Sequence, residues 1–123
     1  MLKKEAEQRQ AVEMLCTDML VPREHLLRKI DAAVNFARIY ELVEDLYCED
    51  NGRPSCDPVV LFKLVMIQHL FGIRSLRQTM RDAEVNVAYR WFLGYTMSQQ
   101  LPHFATISYA FRHRFTAEVI EGV

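Results

Sequence analysis

The sequence is poor in most of what marks a specialised chemistry. Its 123 residues hold three cysteines, Cys16, Cys48 and Cys56, and none stands at a C-x-x-C spacing from another. An odd, scattered set excludes a disulfide framework and points to reduced thiols in a cytoplasmic setting. Glycine and proline number four each, too few for a low-complexity or linker-rich chain. The longest nearly apolar stretch, Pro58 to Phe71, is broken by Lys63, Gln68 and His69. It falls short of the ~20 apolar residues that a membrane span needs. The first ten residues put no apolar run behind Lys3 and Lys4, so no signal peptide is expected. The chain has no P-loop, no G-x-S-x-G and no His/Cys pattern at zinc-ligand spacing. No catalytic residue, metal, cofactor or small-molecule substrate is therefore expected.

What is present describes one soluble helical domain. At 123 residues, half of them hydrophobic and a quarter charged, a single globular domain is the default. No segment sustains the period-2 alternation of a strand, and the predicted fold class is all-α, a compact multi-helix bundle. Residues 1–20 read as an N-terminal arm or weak helix, with Ala11, Val12, Met14, Leu15 and Leu20 among charges. Residues 21–119 read as the helical domain. Pro22 is placed in the first turn of a helix that carries Leu26, Leu27, Ile30, Ala33 and Val34 at three- and four-residue steps. Phe36, Ile39, Tyr40, Val43, Leu46 and Tyr47 stripe the next. Glu49 to Pro58 is a helix–helix connection with a tight turn at Asn51-Gly52. Asp57 then caps, and Pro58 opens, a helix apolar nearly all round, which belongs at the centre with helices on several sides. His69 on that helix is expected to be a core histidine.

Ser75-Leu-Arg-Gln78 matches a capping box, with Ser75 capping and Gln78 reaching back. The helix it opens turns Leu76, Met80, Ala83 and Val87 inward. Residues 95–105 form a loop, and Thr106 is expected to cap a final helix with Ile107, Ala110, Phe111 and Phe115 as core. Tyr89, Trp91, Phe92 and Phe71 are expected to pack beside the central helix. Glu44, Asp45, Glu49, Asp50 and Asp57 read as a solvated face and a cap, since no spacing makes their oxygens converge.

Net charge is only −1, but the distribution is uneven. Residues 1–50 carry seven Lys/Arg against eleven Asp/Glu. Residues 51–123 carry eight against five, and seven of those eight are Arg. Arg74, Arg77 and Arg81 recur at steps of three and four beside Gln78. Guanidinium groups neutralise phosphates and match the guanine edge, so these four residues form a candidate DNA-binding face. A solvated helix face is the alternative. Arg112, His113 and Arg114, with Arg90, form a second candidate set; cations there also complement a helix C-terminus.

Six pieces in order then carry a resemblance. Pro22 to Asp31, Glu41 to Tyr47, Asn51 to Ser55 with Asp57 to Lys63, Leu70 to Gln78, Val85 to Gly94, and Pro102 to Thr106 resemble the InsH-type N-terminal domain of bacterial DDE insertion-sequence transposases. The resemblance covers roughly residues 20–116. It implies a helix-turn-helix-like C-terminal half that binds double-stranded DNA at terminal inverted repeats. The helices over 75–85 and 106–119 both fit the recognition role. In that family an RNase-H-like domain with three metal-binding carboxylates follows, and this chain is expected to lack it. Ala105 stands where relatives tend to carry Ser, which leaves Thr106 to cap alone. A homo-oligomer, or pairing with a full-length transposase, is the companion expectation, and no membrane is implied.

Overall fold

Asp57 starts the central helix as its sequence predicts. Its carboxylate accepts the Val59 N–H at 2.8 Å, and Pro58 occupies the first turn, where its missing N–H costs nothing. The structure, a computed structural model, describes residues 2–48 and 57–108. Six helices follow in order: α1 (Thr17–Leu20), α2 (Leu26–Ala33), α3 (Ala37–Cys48), α4 (Pro58–Leu70), α5 (Leu76–Val85) and α6 (Val87–Leu93). A further helical stretch covers 104–108. The fold is all-α, and no strand occurs among the described residues.

α4 packs against α3, α5 and α6, which is what an all-round apolar helix requires. Leu61, Leu64 and Ile67 of α4 are fully buried with Leu27, Ile39, Phe92 and Ile107. Each such side chain contributes roughly 1.5–3 kcal/mol by leaving water. Phe36 meets Phe92 edge to face at 5.6 Å, a geometry aromatic rings prefer. Lys63, the charge that interrupts the apolar run, crosses this layer. Its Nζ donates to the Phe92 carbonyl at 2.7 Å and lies 3.7 Å from Asp31. Burial lowers its ammonium pKa, and Asp31 opposes that shift. No helix among the described residues is long and apolar enough to cross a membrane.

Several caps differ from the sequence expectation. α2 begins at Leu26, because the His25 imidazole accepts the Leu27 N–H at 3.1 Å. Pro22 lies in the turn before it, where its carbonyl accepts the His25 N–H. His69 is exposed and not in the core. It sits in the last turn of α4, near the free carbonyls. Ser75 caps α5 by accepting the Gln78 N–H, but Gln78 does not reach back. Its side-chain amide donates instead to Asp82 Oδ1 at 2.8 Å, one turn ahead. The helical stretch at 104–108 begins before Thr106. His103 is its cap, with Nδ1 accepting the Ala105 N–H at 3.1 Å. The missing serine at 105 therefore removes no cap. Gly94 closes α6 at φ +86, a left-handed conformation that glycine adopts without strain.

Among the described residues 2–20, only Thr17–Leu20 is helical. α1 packs on α6, and Val21 behind it is buried. Before Cys16 the described residues are exposed. The expected turn at Asn51-Gly52 and the expected core positions Ala110, Phe111 and Phe115 lie outside the described residues.

Candidate nucleic-acid interface

α5 carries the face. Its buried side is Thr79, Met80 and Ala83, and the Thr79 hydroxyl donates to the Ser75 carbonyl at 2.9 Å. That side is packed against α4 and α6. The helical period then fixes what points outward. Arg77, Gln78 and Arg81 are exposed, and Arg74 is exposed just before the cap. Sequence spacing and structure agree on this juxtaposition. Arg74, Arg77, Gln78 and Arg81 all border one groove of about 640 Å³, between α5 and the turn at Phe71–Ser75. Arg77 and Arg81 also border a second groove of about 620 Å³, between α5 and residues 98–104. The two arginines thus stand on the ridge between two clefts.

The ridge arginines form no ion pair among the described residues, although Asp82 and Glu84 border the same grooves. Among the described residues, the ion pairs join Arg9 to Glu7, Arg23 and Arg28 to Asp18, and Lys63 to Asp31. None involves Arg74, Arg77 or Arg81. Asp82, a nearby acid, is engaged by Gln78, and exposed Glu84 lines the second groove. Gln78 is accordingly less free to reach a base edge than the sequence suggests. Arg77 has one neighbour of its own: its guanidinium carbon lies 4.1 Å from the centre of the Phe104 ring. Phe104 carries no signal in the sequence that would pair it with Arg77.

Arg90 is elsewhere. It is 6% exposed; its Nε donates to the Glu84 carbonyl at 3.1 Å, and its Nη1 donates to those of Thr96 at 2.9 Å and Gln99 at 2.7 Å. It ties α6 to the end of α5 and to the loop after Gly94. Arg112, His113 and Arg114 lie outside the described residues. The aromatic set divides. Phe92 and Tyr89 are buried, and burial raises the Tyr89 phenol pKa, with Asp82 adding to it. Phe71 stays partly exposed with its ring 5.3 Å from Tyr89. Trp91 is half-buried under Arg28, whose guanidinium lies 4.5 Å from the indole.

No group of three His, Cys, Asp or Glu gathers to hold a metal among the described residues. The arrangement can hold an extended polyanion: three guanidinium groups on one ridge, with clefts on both sides and no acid paired to them among the described residues.

Comparison with curated proteins finds no match, and comparison with solved structures finds none. Residues 15–114 match the transposase domain family DUF772. That span includes α1 to α6, the arginine ridge and the helical stretch at 104–108. The chain belongs to this transposase domain family, and its role lies in transposition.

Proposed function

We propose that this domain is the DNA-binding module of an insertion-sequence transposase and grips duplex DNA at terminal inverted repeats through the exposed face of α5. The observation that carries the reading is the ridge of Arg74, Arg77 and Arg81, all exposed and without an acid partner among the described residues. Duplex DNA rewards such a ridge, because each phosphate that an arginine neutralises releases condensed counterions. Helix α4, the turn over residues 71–75 and α5 supply a helix-turn-helix-like pair in which α5 takes the recognition position. Arg90 supports this face from within: it lines the second groove while its Nε and Nη1 hold the Glu84, Thr96 and Gln99 carbonyls. The test is an anisotropy titration with a labelled duplex carrying the element's terminal repeat and with a scrambled duplex. Tighter binding to the repeat supports the reading, and equal weak binding to both removes the recognition role.

One observation favours a companion reading as a pairing module. Val12 and Met14 are each 98% exposed, and Leu2, Leu15, Met19 and Leu20 are exposed beside them. A second copy, or a full-length transposase, would cover such side chains. Light scattering decides: a concentration-dependent dimer that deletion of residues 2–15 abolishes supports it, and a strict monomer counts against it.

A further inference from the structure

The three ridge arginines are not equivalent. Arg74 and Arg81 reach into solvent, whereas Arg77 is held over the Phe104 ring at 4.1 Å. Phe104 is itself pinned. Ile107, one turn on, is fully buried in the core, and the His103 cap fixes the start of the stretch. Exposed arginines lose much rotamer freedom when they bind. A guanidinium already stacked on a ring has lost much of it beforehand, and stacking uses its face while leaving its edge donors for a partner. Two edge donors in a fixed plane match the O6 and N7 acceptors of guanine in the major groove. The other candidate base reader, Gln78, is occupied by Asp82.

On the reading that α5 faces duplex DNA, we infer that Arg77 is the base-reading residue of the ridge, directed at a guanine, with Phe104 as its positioning residue. Arg74 and Arg81, without a ring or acid contact among the described residues, serve phosphates. The assignment divides the ridge by chemistry: phosphate contacts set affinity and salt dependence, and a base contact sets sequence preference.

The probe is a short duplex enriched from a random pool by the wild-type chain. Each enriched guanine is replaced in turn by 7-deazaguanine, which lacks the N7 acceptor, or by inosine, which keeps N7 and O6. At one position the wild-type chain loses roughly tenfold in affinity with 7-deazaguanine and little with inosine. Arg77→Ala binds more weakly but no longer distinguishes guanine from 7-deazaguanine. Phe104→Leu, which keeps every charge, loses the same discrimination with an unchanged salt slope, and Phe104→Tyr restores it. Wild-type indifference to N7 at every position, or discrimination that survives Arg77→Ala, overturns the assignment. If binding then still depends on salt through Arg74 and Arg81, the ridge stands and only the base-reading role falls. If no salt-sensitive duplex binding occurs, both fall.

Discussion

Trp91 donates its indole N–H to the Asp18 carboxylate at 2.8 Å, across 73 residues of sequence. Arg28 closes the same cluster. Its Nη1 meets Asp18 Oδ1 at 3.0 Å, its Nη2 meets the Asp18 and Val21 carbonyls, and its plane covers the indole. One short helix, α1, is thereby fastened to α6 by groups from three parts of the chain. Hydrogen bonds to a charged acceptor are the stronger kind, and here they hold an element of four residues that could not persist alone.

This cluster predicts an acid transition localised to α1. The hydrogen bond from Trp91, then that from Arg28, lowers the Asp18 pKa below its ordinary 3.8. A lowered folded value means that the contribution of Asp18 is fully present above the ordinary carboxylate range and is lost as pH falls through the folded value. Emission from Trp91, the one tryptophan in the sequence, reads it directly. It should shift below pH ~3.8, before or with global unfolding, and Asp18→Asn should abolish the separate step. An emission change centred above the ordinary carboxylate value would contradict the arrangement.

Tyr40 supplies the alkaline counterpart. Partial burial, and then the hydrogen bond from its hydroxyl to Asp57 at 2.8 Å, push its pKa up to about 12. A raised folded value above the ordinary 10.0 means that stability from the neutral phenol is complete below 10 and is lost as pH rises towards 12. Absorbance of the ionised phenol should show Tyr40 titrating late among the five tyrosines, in addition to the raised Tyr89. Tyr40→Phe should reduce the late amplitude by one phenol while the raised Tyr89 remains, and an unchanged late amplitude in the variant would refute the assignment.

Arg90 and the ridge arginines should separate cleanly by phenotype. Arg90→Ala strips a buried guanidinium from the Glu84, Thr96 and Gln99 carbonyls, and should cost about 2 kcal/mol or more in urea unfolding. Arg74→Ala and Arg81→Ala, both on the exposed ridge, should stay within roughly 0.5 kcal/mol of wild type. Equal destabilisation by all three would erase the distinction between tie and ridge.

Much of the fold is legible in the residues. The apolar encirclement of Pro58–Leu70 marks the central helix, and Asp57-Pro58 marks its start, because capping and period are local physics. The arginine ridge is legible for the same reason: spacing of three and four leaves no choice of face on an amphipathic helix. What stays hidden depends on distant partners. His25 and His103 cap helices, a task that composition assigns to Ser, Thr, Asp and Asn. Gln78 prefers Asp82 to its own backbone. Arg90 and Arg77 look alike in the sequence, and only tertiary packing buries one under carbonyls and lays the other on Phe104. His69 is read as core from its neighbours, yet the last turn of α4 leaves it outside.

The central claim is that the α5 ridge holds duplex phosphate, and the salt dependence of duplex affinity tests it most directly. For the wild-type chain, the logarithm of affinity should fall linearly with the logarithm of salt concentration. In the Arg74→Ala/Arg81→Ala double variant that slope should become shallower by up to ~0.9 for each phosphate that the protein no longer neutralises, with folding stability unchanged. A wild-type slope near zero, or a double variant with the wild-type slope and affinity, would contradict the account.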